Sequence, residues 1–274
     1  MTLRMVATDL DGTIVRRDHS VSPRTVAALR AVAAAGVDVV FVTGRPPRWM
    51  APVVEATGHT GTAVCANGAL VYDLGEGRPL DAKPIAPDVV TEVTRRLAGA
   101  IPGVAFALET LAGFRSTPAY RPRWDALADH VVGDLPDLLA DDPGVVKVLA
   151  RLEGGRSDAM LAEARPLLDG LATPTHSNAA DGLLEVSAPG VSKATTLAEL
   201  AASRGIGAAD VVAFGDMPND LAMLAWAGTG YAMTGGHPEA VAAADHLAPP
   251  CDEDGVAQVL ERLLRSALTP PAAP

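Results

Sequence analysis

Residues 3–13 read Leu3-Arg4-Met5-Val6-Ala7-Thr8-Asp9-Leu10-Asp11-Gly12-Thr13, an apolar run that ends on an aspartate. The run 3–8 has the length and content of a buried strand, which sets Asp9 and Asp11 at its carboxyl edge. Downstream, Ser22 offers an N-cap with Pro23 at the first helical position, so a helix is expected over 25–35, stopping at Gly36. A second buried strand follows at 37–42, then a helix over 47–56 ended by Gly58, and a third strand at 62–66. Asn67-Gly68 turns the chain into a short return strand at 70–72. Near-continuous apolar strands joined by helices spell βαβαβ. That pattern implies a parallel sheet covered on both faces, with ligands at the carboxyl ends of its strands.

The rhythm breaks between residues 84 and 186. Here the pattern predicts a helix at 87–97, a strand at 104–108, an irregular Pro/Arg/Trp-rich stretch at 115–124, a strand at 145–152, a helix at 157–168 and a strand at 183–187. The rhythm resumes with a helix at 193–203 capped by Ser192, a strand at 211–214, a helix at 220–227, a strand near Tyr231 and a final helix at 255–268. The expected class is therefore α/β. A Rossmann-like parallel sheet is built from 1–83 and 187–274, and an α+β cap domain is inserted over 84–186. An interruption of roughly one hundred residues is domain-sized. The tail 269–274 is expected to be disordered, and no internal repeat is present.

Composition narrows the function. Of 274 residues, 49% are hydrophobic and 20% charged, which suits a folded chain with a large core. The net charge of -11 argues against nucleic acid or anionic lipid as partners, since both need a basic face; a small anion accompanied by a metal remains compatible. The first ten residues carry Asp9 and no long apolar core, so no secretory signal is expected and the setting is read as cytoplasmic. Runs such as 37–42 are far shorter than the roughly twenty residues that cross a bilayer, so no membrane span is expected. Cys65 and Cys251 are too few for a disulfide framework or a four-sulfur zinc site.

Four segments carry chemistry. Asp9 and Asp11 come first. An ordinary Asp-Gly turn does not explain an aspartate terminating a buried strand. A calcium loop counted from Asp9 needs a glutamate where Ser20 stands. Thr43-Gly44-Arg45 follows the second strand, and Lys193 opens a helix, where its charge opposes the helix dipole unless an anion is near. Hydroxyl, backbone amide and ammonium are all groups that hold phosphate, although each singly is as common in a plain turn or at a surface. Gly215-Asp216-Met217-Pro218-Asn219-Asp220 follows another buried strand, with Asp220 also placed to cap the next helix. Four aspartates at one sheet edge would repel one another, so a divalent cation is expected; magnesium fits, and no His/Cys cluster offers a zinc site.

This order of motifs resembles the haloacid dehalogenase superfamily, in particular its Cof-type phosphatases with a large C2-type cap after the third strand. Asn67-Gly68-Ala69 and the segment 252–257 add to the likeness. The resemblance implies a magnesium-dependent phosphatase acting on a small phosphorylated metabolite, with a sugar phosphate in view, through an aspartyl-phosphate. Asp9 would be the nucleophile and a metal ligand, and Asp11 the general acid and base whose carbonyl joins the metal shell. Thr43, Gly44, Lys193 and Asn219 would hold the phosphoryl group. Asp216 would bind the metal, with Asp220 a ligand or a support, and Arg45 and Asn67 would meet substrate. The cap would close over the site; by polarity and position Arg115, Arg121, Arg123 and Trp124 are candidate contacts, equally well read as a solvated loop, and His176 could face substrate but is more readily an exposed residue. Two departures are Ala194, where the family often has glycine, and Gly236-His237-Pro238 in place of a commoner Gly-Asn-Ala, which leaves the role of His237 open between the site and the start of a helix. The rivals are a phosphomutase or phosphotransferase, and a non-catalytic sensor of phosphoryl ligands. A monomer or small homo-oligomer is expected.

Overall fold

In the computed structural model, which describes residues 3–122 and 130–268, the first apolar run forms strand β1 (Met5–Thr8), buried at every position. Helix α1 (Pro23–Ala34) starts where Ser22 accepts from the Thr25 amide at 3.0 Å and Pro23 presets the first turn. Strand β2 (Asp38–Val42) follows. The helix expected over 47–56 is instead a 3₁₀ turn, Pro47–Trp49, and a shorter helix α2 (Ala51–Thr57). Pro47 and Pro52 each bring a ring and no N–H, so each suits only a first turn. Gly58, at φ 70°, ends α2. Next come β3 (Thr62–Cys65), β4 (Leu70–Asp73) and the exposed strand β5 (Arg78–Ala82). Between β3 and β4 the chain is left-handed at Ala66, Asn67 and Gly68 (φ 51°, 58° and 103°).

The inserted segment supplies α3 (Pro87–Ala100), β6 (Ala105–Thr110), β7 (Gly113–Ser116), β8 (Val131–Val132), α4 (Leu135–Leu139), β9 (Val145–Arg151), α5 (Ser157–Leu168), β10 (Thr173–Thr175) and β11 (Leu183–Ser187). The chain then returns through α6 (Lys193–Ser203), β12 (Val211–Gly215), a 3₁₀ turn Pro218–Asp220, α7 (Leu221–Trp226), β13 (Thr229–Met233), α8 (Pro238–Ala243), β14 (His246–Ala248) and α9 (Gly255–Leu268). Two compact units result: Met1–Cys65 with Val71–Pro79 and Lys193–Pro274, and Ala66–Leu70 with Leu80–Ser192.

In the larger sheet the strand order is β14-β13-β12-β1-β2-β3-β4-β5, and from β14 to β3 neighbours run parallel. This is the expected α/β class. The chain leaves β1 first toward β2 and β3, then returns to lay β12 against the other side. The carboxyl end of β1 is thus the point where strand order reverses, the crevice in which such sheets bind ligands. Met5, Ala7, Val40 and Val42 pack against Leu197 and Ala201 of α6 and Met223 and Leu224 of α7. Val6 and Phe41, on the opposite face by strand alternation, are equally buried, so the sheet is covered on both sides.

The second unit holds a six-stranded sheet, β10-β11-β9-β6-β7-β8, antiparallel except for the β7–β8 pair. Helix α3 packs on β9 and α5, and α5 on β10 and β11. The stretch expected to be irregular from residue 115 begins inside β7, which pairs Ser116 with Ala107 and Phe114 with Glu109. Only Phe114 and Ser116 of β7 are buried, so its sequence lacks an apolar run. Arg115 is a structural tie, bonded to Asp141 at 2.6 and 3.0 Å and to the Leu138 carbonyl at 2.9 Å. Arg121 is exposed, while Arg123, Trp124 and the tail 269–274 lie outside the described residues. No helix among the described residues is long and apolar enough to cross a membrane.

Candidate active site

The site is built where β1 and β12 end. The Asp9 amide donates to the Phe214 carbonyl at 2.9 Å, extending the β1–β12 ladder by one residue and setting Asp9 beside the turn that carries Asp216. Beyond it, the amides of Ile14 and Val15 return to the Leu10 carbonyl at 2.9 and 2.7 Å, wrapping the chain into a tight loop. Gly12 is required there twice over. Its φ is +82°, and a Cβ would strike the Asp216 carboxylate.

Helix α6 delivers Lys193, which is 1% exposed. Its ammonium donates to Asp9 Oδ1 at 2.5 Å and to Asp220 Oδ1 at 2.7 Å. The other Asp220 oxygen accepts from the Asp216 and Met217 amides, both at 3.0 Å. Asp220 stands at the N-cap of α7, as its sequence position suggested, but its side chain makes no cap bond to that helix. It turns back on the loop before it and, with Lys193, fixes where Asp216 stands. Gly215 makes room, since a Cβ there would lie 2.5 Å from that of Asp220. Thr13 Oγ1 donates to Asp216 Oδ1 at 3.1 Å, a contact for which the sequence reading gave Thr13 no role.

One carboxylate oxygen from each of Asp9, Asp216 and Asp220 lies within 4.8 Å of the others. Three carboxylates face one ammonium, and two of them, Asp9 and Asp216, are less acidic than an ordinary carboxylate. Burial raises Asp9 well above the usual carboxylate range; Lys193 offsets part of this while Asp220 and Asp216 add to it. Burial and Asp220 push Asp216 up to about 7, against the pull of Lys193 and Thr13. Burial works against the Lys193 charge, yet Asp220 and Asp9 more than compensate and hold it protonated above its ordinary range. A cluster of hard oxygen donors with excess negative charge suits a divalent metal ion.

Asp11 lies apart from that group. Its carboxylate is 55% exposed and is gripped by Arg45, with Nε to Oδ2 at 2.7 Å and Nη2 to Oδ1 at 2.5 Å. So the structure joins three of the four expected aspartates, not all four. Thr43 is buried at the end of β2, its hydroxyl accepting from the Arg45 amide at 3.0 Å, and Gly44 lies in the same turn. Asn219 sits within the 3₁₀ turn between Asp216 and Asp220.

Asn67 belongs to the second unit. Buried there, it lies alongside an ion pair the sequence did not predict, Lys147 Nζ to Glu185 Oε1 at 2.6 Å, with both residues buried. The one advance signal was that lysine is so scarce in this chain. His176 is buried, not exposed, and pairs through Nε2 with Asp158 Oδ1 at 2.8 Å. His237 begins α8 and caps it, its Nδ1 accepting from the Glu239 amide at 3.2 Å.

Comparison with known proteins places this geometry in context. A model of the haloacid dehalogenase-like hydrolases matches residues 6–260. Over 288 residues the chain is 29% identical to an HMP-PP phosphatase of Yersinia pestis (strain Pestoides F), covering 96% of each. Over 260 residues it is 27% identical to a phosphoglycolate phosphatase of Methanoculleus marisnigri, covering 95% of this chain and 96% of that one. A solved sugar phosphatase of haloacid dehalogenase subclass IIB superposes with a TM-score of 0.79 at 22% identity, covering 95% of this chain and 98% of that one, a likeness of fold.

Proposed function

This chain belongs to the haloacid dehalogenase-like hydrolases, and on that footing we propose that it hydrolyses the phosphate monoester of a small metabolite with the help of magnesium. The relatives act on chemically different esters by name, HMP-PP and phosphoglycolate, so what carries over is the phosphoryl group. A sugar phosphate is one candidate, and choice of the organic part is assigned to the inserted unit, Asn67 included.

In this reading Asp9 attacks phosphorus, the ester bond to the alcohol breaks, and an aspartyl-phosphate forms. An aspartate nucleophile needs no base to remove a proton first, provided its charge is stabilised. Asp11 gives a proton to the departing alcohol and then takes one from the water that hydrolyses the intermediate. Lys193, oriented by Asp220, faces the phosphoryl oxygens together with the Gly44 amide, Asn219 and the Thr43 hydroxyl, whose proton is free to donate because its oxygen is the acceptor for Arg45. Magnesium, when bound, supplies positive charge against the dianionic ester. Asp9, Asp216 and the Asp11 carbonyl would hold it. Asp220, with both oxygens engaged by donors of this chain, is read as their support. The setting is taken as cytoplasmic, and the protein as a monomer or small homo-oligomer.

The observation that carries this reading is the convergence of Asp9, Lys193, Asp216 and Asp220, drawn from three distant parts of the chain, on one cluster in which all but Asp216 are buried. The wild type is expected to release p-nitrophenol from p-nitrophenyl phosphate only with magnesium. Asp9→Asn should lower that rate by about 10⁴-fold or more while its circular dichroism is unchanged. Equal turnover by the variant would remove Asp9 as the nucleophile.

A further inference from the structure

We propose that Arg45 is the positioning residue for the general acid, setting the orientation of Asp11 before substrate arrives; this rests on the phosphatase reading above. The contact is bidentate, Nε to Oδ2 at 2.7 Å and Nη2 to Oδ1 at 2.5 Å, a fork that fixes the plane of a carboxylate as a single ammonium cannot.

The two partners are not equally held. The Arg45 side chain is 15% exposed and that of Asp11 is 55% exposed. Arg45 is tethered at both ends, by its amide on Thr43 Oγ1 at 3.0 Å and by Nη1 on the Trp49 carbonyl at 3.4 Å. Asp11 rides on the loop turned by Gly12, and among the described residues Arg45 is the side chain it pairs with. The less exposed, tethered guanidinium therefore sets the more exposed carboxylate, not the reverse. Ion pairs this exposed add little to stability, so what the fork supplies is direction. Each carboxylate oxygen has a second lone pair, and the one not given to Arg45 is left for the proton that Asp11 must carry to the leaving group.

A residue that acts through the general acid matters most when the leaving group needs a proton. The test compares kcat/KM, which covers the steps through alcohol expulsion, for phenyl phosphate and 2,4-dinitrophenyl phosphate. Phenoxide is a poor leaving group, whereas dinitrophenolate departs without protonation. Arg45→Ala should lower kcat/KM for phenyl phosphate by about 10- to 100-fold, and for the dinitrophenyl ester by at least about tenfold less. Asp11→Asn should show the same bias, and adding Arg45→Ala to it should lower phenyl phosphate turnover no further. Arg45→Lys should rescue little, since it keeps the charge without the fork. Equal losses on both esters, or independent losses in the double variant, would overturn the proposal. A wild type idle on both esters with magnesium would instead remove the phosphatase reading, and this proposal with it.

Discussion

Two clusters of buried charge in the molecule are solved differently. In the first unit, Asp9, Asp216 and Asp220 share one ammonium, and burial leaves Asp9 and Asp216 less acidic than an ordinary carboxylate. In the second unit burial also works against the Glu185 charge, but Lys147, with Asn67 and Ser177 alongside, outweighs it and holds Glu185 below the usual range. Asp9 and Glu185 are about equally buried yet shift in opposite directions: the neighbouring carboxylates Asp220 and Asp216 add to the rise of Asp9, while Lys147 lowers Glu185.

If that contrast is right, removing a charge should have opposite consequences at the two places. Lys147→Met strands a buried carboxylate and is expected to cost about 3–5 kcal/mol in urea unfolding. Asp9→Asn, measured without metal, removes a surplus carboxylate and should cost less than about 1 kcal/mol or stabilise. Comparable losses in both would mean that the clusters are not distinct in kind.

The next effect is smaller and belongs to the acidic cluster alone. Magnesium at a hundred times its dissociation constant should stabilise the folded protein by about 2.7 kcal/mol, read as a rise in Tm. Asp216→Asn should abolish the rise, and Lys147→Met should leave it intact. A rise that survives Asp216→Asn would place the ion elsewhere.

A further test is the pH dependence of Tm. Without metal, Asp216 titrates at about 7 when folded, against about 3.9 in an unfolded chain. Across that window the folded state keeps a proton that the unfolded state has released, so stability falls as pH rises from about 4 to 7. Glu185 behaves oppositely. Its folded value is depressed, so its contribution is present above about 4.3 and is lost as pH falls below that. Asp9, raised in the same direction, adds to the upper slope, so Asp216→Asn should reduce it and magnesium should flatten it, while both leave the lower one. An upper slope unchanged by both would refute the origin assigned to it.

The sequence made one of these places readable and hid the other. Asp9, Lys193 and Asp216 each mark the end of an apolar strand or the start of a helix, so local pattern alone put them at one sheet edge. The Lys147–Glu185 pair spans two strands of an antiparallel sheet, and register of that kind is not written in either strand. The Arg45 fork on Asp11 joins residues 34 apart and could not be foreseen from a turn motif. Strands β5, β7 and β14 went unread for a related reason. They lie at or near sheet edges, where polar positions such as Arg78, Arg115 and His246 dilute the apolar run that marks a central strand.

The place of β1 between β2 and β12 has a consequence during synthesis. One neighbour is made at once, but Met5 must wait for Val211 before its other side is paired. At about 5–20 residues per second, the wait for those roughly 200 residues is about 10–40 s. For that time a nascent apolar strand has one open edge on the ribosome, a binding surface for chaperones and a point at which aggregation competes with completion of the enzyme.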